Sequence, residues 1–139
     1  MSFTASAHPI DGTLRHEIDV NGRHTIITDE PEGLGGTDSA PAPHELLPAM
    51  VASCVSTMIT LYARRHDWNI EGVRVDVDYD LDTTPRHLGL ALHLPDSLDA
   101  DQVARLRRVA DTCPVRRAFE AGFVFEEEIV LDPPLVAAG

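Results

Sequence analysis

Apolar and polar residues alternate along several short stretches of this chain. From Thr13 to Val20, Leu14, His16, Ile18 and Val20 fall on one side and Arg15, Glu17 and Asp19 on the other. That two-residue period predicts a half-buried strand. Asn21-Gly22 follows, a pair that accepts positive φ at both centres of a tight hairpin turn. Arg23 to Thr28 is therefore expected to return as the second strand, with Arg23 at the hairpin tip. Val73, Val75, Val77 and Tyr79 alternate with Arg74, Asp76, Asp78 and Asp80. Leu88, Leu90, Leu92 and Leu94 alternate with Gly89, Ala91 and His93, after the turn residues Asp82-Thr83-Thr84-Pro85. These two runs predict a second antiparallel pair. Phe123 to Leu131 is expected to form a last strand, ended by Pro133-Pro134.

Elsewhere the period changes to three and four. Leu47, Met50, Val51, Cys54, Met58, Leu61 and Tyr62 make one apolar stripe, which predicts a long helix from His44 to between Arg64 and Asp67. Arg64 and Arg65 suit its negative end. Asp99 to Thr112 predicts a second helix, with Val103, Leu106, Val109 and Ala110 inward and Arg105, Arg107 and Arg108 outward. Pro114 breaks it and opens a short helix to Ala121, closed by Gly122. Residues 29–43 carry Pro31, Pro41, Pro43, Gly33, Gly35 and Gly36 and predict a long loop, either functional or merely connecting. The order is hairpin, long helix, hairpin, helix, short helix, strand. This is one α+β domain over residues 1–139, with antiparallel strands and helices on one face.

Charge narrows the partners. The formal net charge is −12, and all 11 basic residues are arginine. Such a chain is repelled by phosphate backbones and anionic lipid, so neither nucleic acid nor membrane is expected as a partner. The apolar run Leu46–Ala63 reads as a buried helix rather than a membrane span. Met1 to His8 lack the basic patch and apolar run of a secretory signal, which predicts a cytoplasmic setting. In a reducing compartment two cysteines are more often redox-active or metal-binding than a structural staple.

The chemistry available rests on those cysteines. Cys54 lies on the apolar stripe, where a free thiol is usually a small hydrophobe. Cys113 directly precedes Pro114, at the expected N-cap of the short helix. There, unpaired backbone N–H groups and the first-turn residues Arg116 and Arg117 favour thiolate; the alternative is a plain linker cysteine between two helices. No CxxC motif or Cys/His cluster is present, so no metal is expected, although His16 and His24 could face each other across the hairpin. Gly33-Leu34-Gly35-Gly36 lacks the helix and lysine of a phosphate loop, and no cofactor is expected.

Gly35-Gly36-Thr37-Asp38-Ser39-Ala40-Pro41-Ala42-Pro43-His44-Glu45-Leu46-Leu47, followed by Ala52-Ser53-Cys54, is similar to the first half of the OsmC/Ohr family signature. Thr112-Cys113-Pro114-Val115 resembles the second half, 59 residues after the first cysteine. The stretches Asn21 to His24 and Asp29 to Pro31 also resemble the family, so the match runs from about residue 10 to 131. The resemblance implies an intertwined homodimer whose sheets wrap around long central helices. It also implies a peroxidase in which Cys54 becomes a sulfenic acid and Cys113 closes a disulfide with it. An external dithiol of lipoyl or thioredoxin type would reduce that disulfide. The hydroperoxide-reducing branches pair an N-terminal arginine with a glutamate near the helix start. Here Arg23, with Arg15 second, and Glu45 correspond best. The glutamate of the organic-hydroperoxide branch stands ten residues before the cysteine, at a position this chain fills with His44. The chain therefore resembles the broader OsmC-like branches. Two alternatives remain: a non-enzymatic dimer that binds a small apolar ligand, and a redox sensor.

Overall fold

The computed structural model describes residues 1–134. Its elements run β1 (Ala5–Pro9), β2 (His16–Val20), β3 (His24–Thr28), a 3-10 turn (Glu32–Leu34), α1 (Pro43–Arg65), β4 (Arg74–Asp80), β5 (His87–His93), α2 (Ala100–Asp111) and α3 (Pro114–Ala121). The architecture is α+β, with a three-stranded antiparallel sheet in the order β1-β2-β3 and a separate antiparallel pair β4-β5.

The first strand is absent from the sequence reading. Ala-Ser-Ala-His-Pro has weak strand propensity and no apolar alternation, so only pairing with β2 defines it. Its proline sits where an edge strand tolerates one. Asn21 fixes the arrangement: its backbone N–H donates to the Thr4 carbonyl at 2.9 Å, and its Oδ1 accepts the Thr4 N–H at 2.8 Å. Val20 pairs with His24, so Arg23 is the third residue of the turn. His16 lies opposite Thr28 and His24 opposite Val20. The two histidines thus stand at opposite ends of the ladder and share no site.

The β4-β5 pair follows its alternation. Val75 faces Leu92, Val77 faces Leu90 and Tyr79 faces Leu88, all half-buried, while the residues between them are exposed. α1 packs against β4, α2 and α3. The core is Val51, Val55, Ile59, Leu106, Ala110 and Cys113. Each of its fully enclosed aliphatic side chains contributes about 2 kcal/mol through burial. α2 starts with a complete capping box. The Asp99 carboxylate accepts the Gln102 N–H at 2.8 Å, and the Gln102 side chain accepts the Asp99 N–H at 2.9 Å.

Three expectations are corrected. The buried stripe of α1 is Val51, Val55, Ile59 and Ala63, whereas Met50 and Leu61 are exposed. The helix is apolar almost all round, so period alone does not select the face that its own chain covers. Val103 on α2 is also exposed, and Leu106 and Ala110 carry the contact. The segment Phe123–Leu131 forms no strand among the described residues. Its apolar side chains are open to solvent, because neither sheet of this chain hydrogen-bonds to it.

Candidate active site

The loop after β3 is built rather than slack. Asp29 is buried, and its carboxylate accepts hydrogen bonds from the Glu30, Thr37 and Ser39 backbone N–H groups and from both the Thr37 and Ser39 hydroxyls. These bonds, Thr37 first, hold its carboxyl well below the usual carboxylate range. Arg15 donates to the Ser39 hydroxyl, which ties β2 to the same node. Gly36 permits the close turn, since a Cβ there would stand 1.9 Å from the Glu30 carbonyl oxygen. Sequence reading missed this node; the clue was an aspartate followed eight and ten residues later by hydroxyl side chains.

The loop delivers the chain to α1. Glu45 accepts the Ala42 backbone N–H at 2.8 Å, half of a capping box whose other half Ala42 lacks the side chain to make. Nine residues of helix place Glu45 about half a turn around from Cys54 and about 13 Å along the axis. Within one chain it therefore serves the helix end. Arg23 is exposed at the hairpin tip, and Arg15 is engaged by Ser39. Neither arginine is among the groups that shift Cys54.

The two cysteines do meet. Cys113 is the N-cap of α3 and fully buried, and its Sγ accepts the Arg116 N–H at 3.5 Å. Cys54 is half-buried on α1, packed against the core cluster that contains Cys113, and it lines the same hollow as Val115. Burial pushes the Cys54 thiol up; a hydrogen bond from it to Cys113 raises it further, while the Val115 N–H pulls the other way. The cationic help expected from Arg116 is diverted, because its guanidinium donates to Glu120 at 2.8 Å and Asp111 at 2.9 Å. Both sulfurs are free thiols. Outside them lies a shallow hollow of about 390 Å³ lined by Leu46, Ala49, Met50, Ser53, Cys54 and Val115.

A half-open thiol on a long helix, backed by a buried thiol at the N-cap of a second helix, defines a two-cysteine α+β domain suited to sulfur redox chemistry. The OsmC-like protein family model matches residues 36–128, and the chain belongs to that family. The fold is shared with a Psychrobacter arcticus 273-4 protein provisionally described as an osmotic stress induced and detoxification response protein. That likeness has 29% identity, 84% of this chain and 87% of that one covered, and a TM-score of 0.69. An organic hydroperoxide resistance protein OsmC from Legionella pneumophila is 26% identical, with 84% and 88% covered and a TM-score of 0.60. An OsmC like protein from Mycoplasma pneumoniae shares the fold at 14% identity, with 86% and 88% covered and a TM-score of 0.64. No curated protein sequence matches the chain significantly. α1 is long and apolar enough to cross a membrane by composition, but it packs against β4, α2 and α3 as the central helix of this fold.

Proposed function

We propose that this protein is a cytoplasmic thiol peroxidase that reduces organic hydroperoxides. The observation that carries the reading is the meeting of Cys54 and Cys113, one thiol open to a hollow and the other enclosed behind it. The Cys54 thiolate attacks the terminal peroxide oxygen, the O–O bond breaks, and the alcohol leaves after taking up a proton. Cys54 is now a sulfenic acid. The Cys113 sulfur displaces its hydroxyl as water and forms the Cys54–Cys113 disulfide. A dithiol of lipoyl or thioredoxin type then restores both thiols and is itself oxidised to a disulfide. The relative from Legionella, an organic hydroperoxide resistance protein by description, supports the substrate class.

The working unit is a homodimer. Met50 and Leu61 on α1, Ile26 on β3, Phe3 before β1, and Phe123 to Leu131 all expose apolar surface. A second copy would cover these surfaces and supply the pairing that Phe123–Leu131 lacks. It would also carry its own first sheet toward Cys54, making Arg23 or Arg15 the cation that one chain does not provide, with Glu45 as the accompanying acid. Light scattering is expected to return twice the chain mass, and a clean monomer would count against this assembly.

The direct test is loss of cumene or tert-butyl hydroperoxide with dihydrolipoamide as reductant. Many turnovers per protein are expected. No turnover with thiols that still oxidise to a disulfide would instead support a sensor, and inert thiols a ligand-binding dimer.

A further inference from the structure

Charge is unevenly spread over this acidic chain. The formal net charge is −12, yet five of the 11 arginines fall within residues 105–117, where Asp111 is the one acid. Arg105, Arg107 and Arg108 are exposed on α2, and Arg117 is exposed near the start of α3. Arg117 donates to the Asp111 carbonyl at 3.5 Å, which brings it to the end of α2. Among the described residues none of these four enters an ion pair. The helix dipole accounts for one of them, since only Arg108 stands in the last turn of α2. Arg105 and Arg108 are three residues apart, a spacing at which like charges weaken a helix. Neither the dipole nor ion pairing therefore explains the cluster. With Tyr62, Val109 and Thr112, Arg105 and Arg108 also line a hollow of about 250 Å³, room for a carboxylate side chain.

Resting on the peroxidase reading above, we infer that this arginine face is the docking surface for an acidic protein that carries the reducing dithiol. Its position suits that task. Val115 lines the hollow outside Cys54, and Arg116 and Arg117 follow it directly. A protein seated on the arginines would thus hold its dithiol beside the opening that leads to the Cys54–Cys113 disulfide. The docked dithiol gives up two electrons and two protons in forming its own disulfide, and both cysteines return to thiols. The patch suits a compact acidic protein better than an extended polyanion. From Arg105 to Thr112 it spans about 10 Å of helix, and 22 of the 23 acids lie outside residues 105–117. A nucleic acid or an anionic membrane would reach past the arginines onto acidic surface, whereas the acidic face of a small protein can stay within them. None of the four exposed arginines belongs to the apolar surfaces assigned above to the second copy.

The experiment supplies the reducing equivalents either from a strongly acidic lipoyl domain in its reduced form or from free dihydrolipoamide, which is uncharged. The double variants Arg105→Gln/Arg108→Gln and Arg105→Lys/Arg108→Lys are compared with the wild type. With the glutamine pair, KM for the lipoyl domain is expected to rise about ten-fold at unchanged kcat, the scale of two charge pairs at an interface rim. The values with dihydrolipoamide should not move, and the lysine pair should stay near the wild type. Added salt should weaken the wild type toward the glutamine pair. Equal KM values in wild type and glutamine pair, or a parallel rise with dihydrolipoamide, would overturn the assignment. Fluorescence anisotropy of the labelled lipoyl domain reads the same surface without any peroxidase activity, and Kd should rise by the same factor in the glutamine pair. If the wild type consumes no peroxide but Kd shifts, the peroxidase reading fails while the arginine face stands as a docking surface for an acidic protein. If Kd does not shift, or if duplex DNA or phosphatidylserine vesicles bind the wild type more tightly than the domain does, the assignment fails as well.

Discussion

Cys54→Ser is expected to abolish hydroperoxide reduction, lowering the rate with dihydrolipoamide by on the order of a thousand-fold or more. A serine hydroxyl is not appreciably ionised near neutral pH and forms no sulfenic acid, so the first bond change has no nucleophile. Cys113 cannot stand in. It is fully buried behind α1, and its sulfur is already committed to the Arg116 N–H at the start of α3. The fold should survive, because Cys54 is only half-buried and serine differs from it by one atom; the cost is about 1 kcal/mol or less. Circular dichroism and the dimer mass should therefore match the wild type while peroxide consumption drops to the uncatalysed rate. Full activity in Cys54→Ser would mean that the chemistry lies elsewhere in the molecule.

The electrostatics of Cys54 bear on the proposed dimer. Burial and Cys113 both hold the thiol in its protonated form, and within one chain a single backbone N–H opposes them. A peroxidase needs the thiolate. An isolated chain would be a slow nucleophile at neutral pH, gaining rate as the pH rises. The proposed dimer would offset this by bringing an arginine from the first sheet of a second copy toward Cys54.

The two antiparallel pairs and all three helices were legible in the sequence, because strict alternation and three-to-four spacing each have one physical meaning. The register of β4 against β5 follows from facing valine and leucine rows. Cys113 as an N-cap was legible from the proline behind it. Other features were hidden for identifiable reasons. The covered face of α1 could not be read, because a helix apolar on most sides carries no single stripe, and this one has Val55 and Ile59 inside and Met50 and Leu61 outside. β1 is made of small residues whose strand state depends on Asn21 and β2. Phe123–Leu131 has the composition of a strand but no edge in its own chain to join. The contact between Cys54 and Cys113 crosses two helices, so no local pattern encodes it; only likeness to a family implied it. The Asp29 node is likewise a tertiary fact, assembled from hydroxyls eight and ten residues further along the chain.

Cys113→Ser should separate the two halves of the cycle. The substitution suits its position: serine is a better N-cap than cysteine, and its hydroxyl can accept the Arg116 N–H that the sulfur now takes. α3 and the core around residue 113 should therefore persist, and the first step at Cys54 should proceed. The sulfenic acid then finds no neighbouring thiol with which to condense. Mixing the variant with one equivalent of cumene hydroperoxide should give one equivalent of alcohol and a protein heavier by one oxygen, which dimedone captures. Excess peroxide should carry Cys54 on to the sulfinic acid, which dithiols do not reverse. Sustained turnover would collapse to about one event per site. Wild-type turnover in this variant would remove Cys113 from the cycle and leave direct reduction of the sulfenic acid by the external dithiol. A failure to oxidise at all would show that Cys113 is needed for the first step, through its contact with the Cys54 thiol.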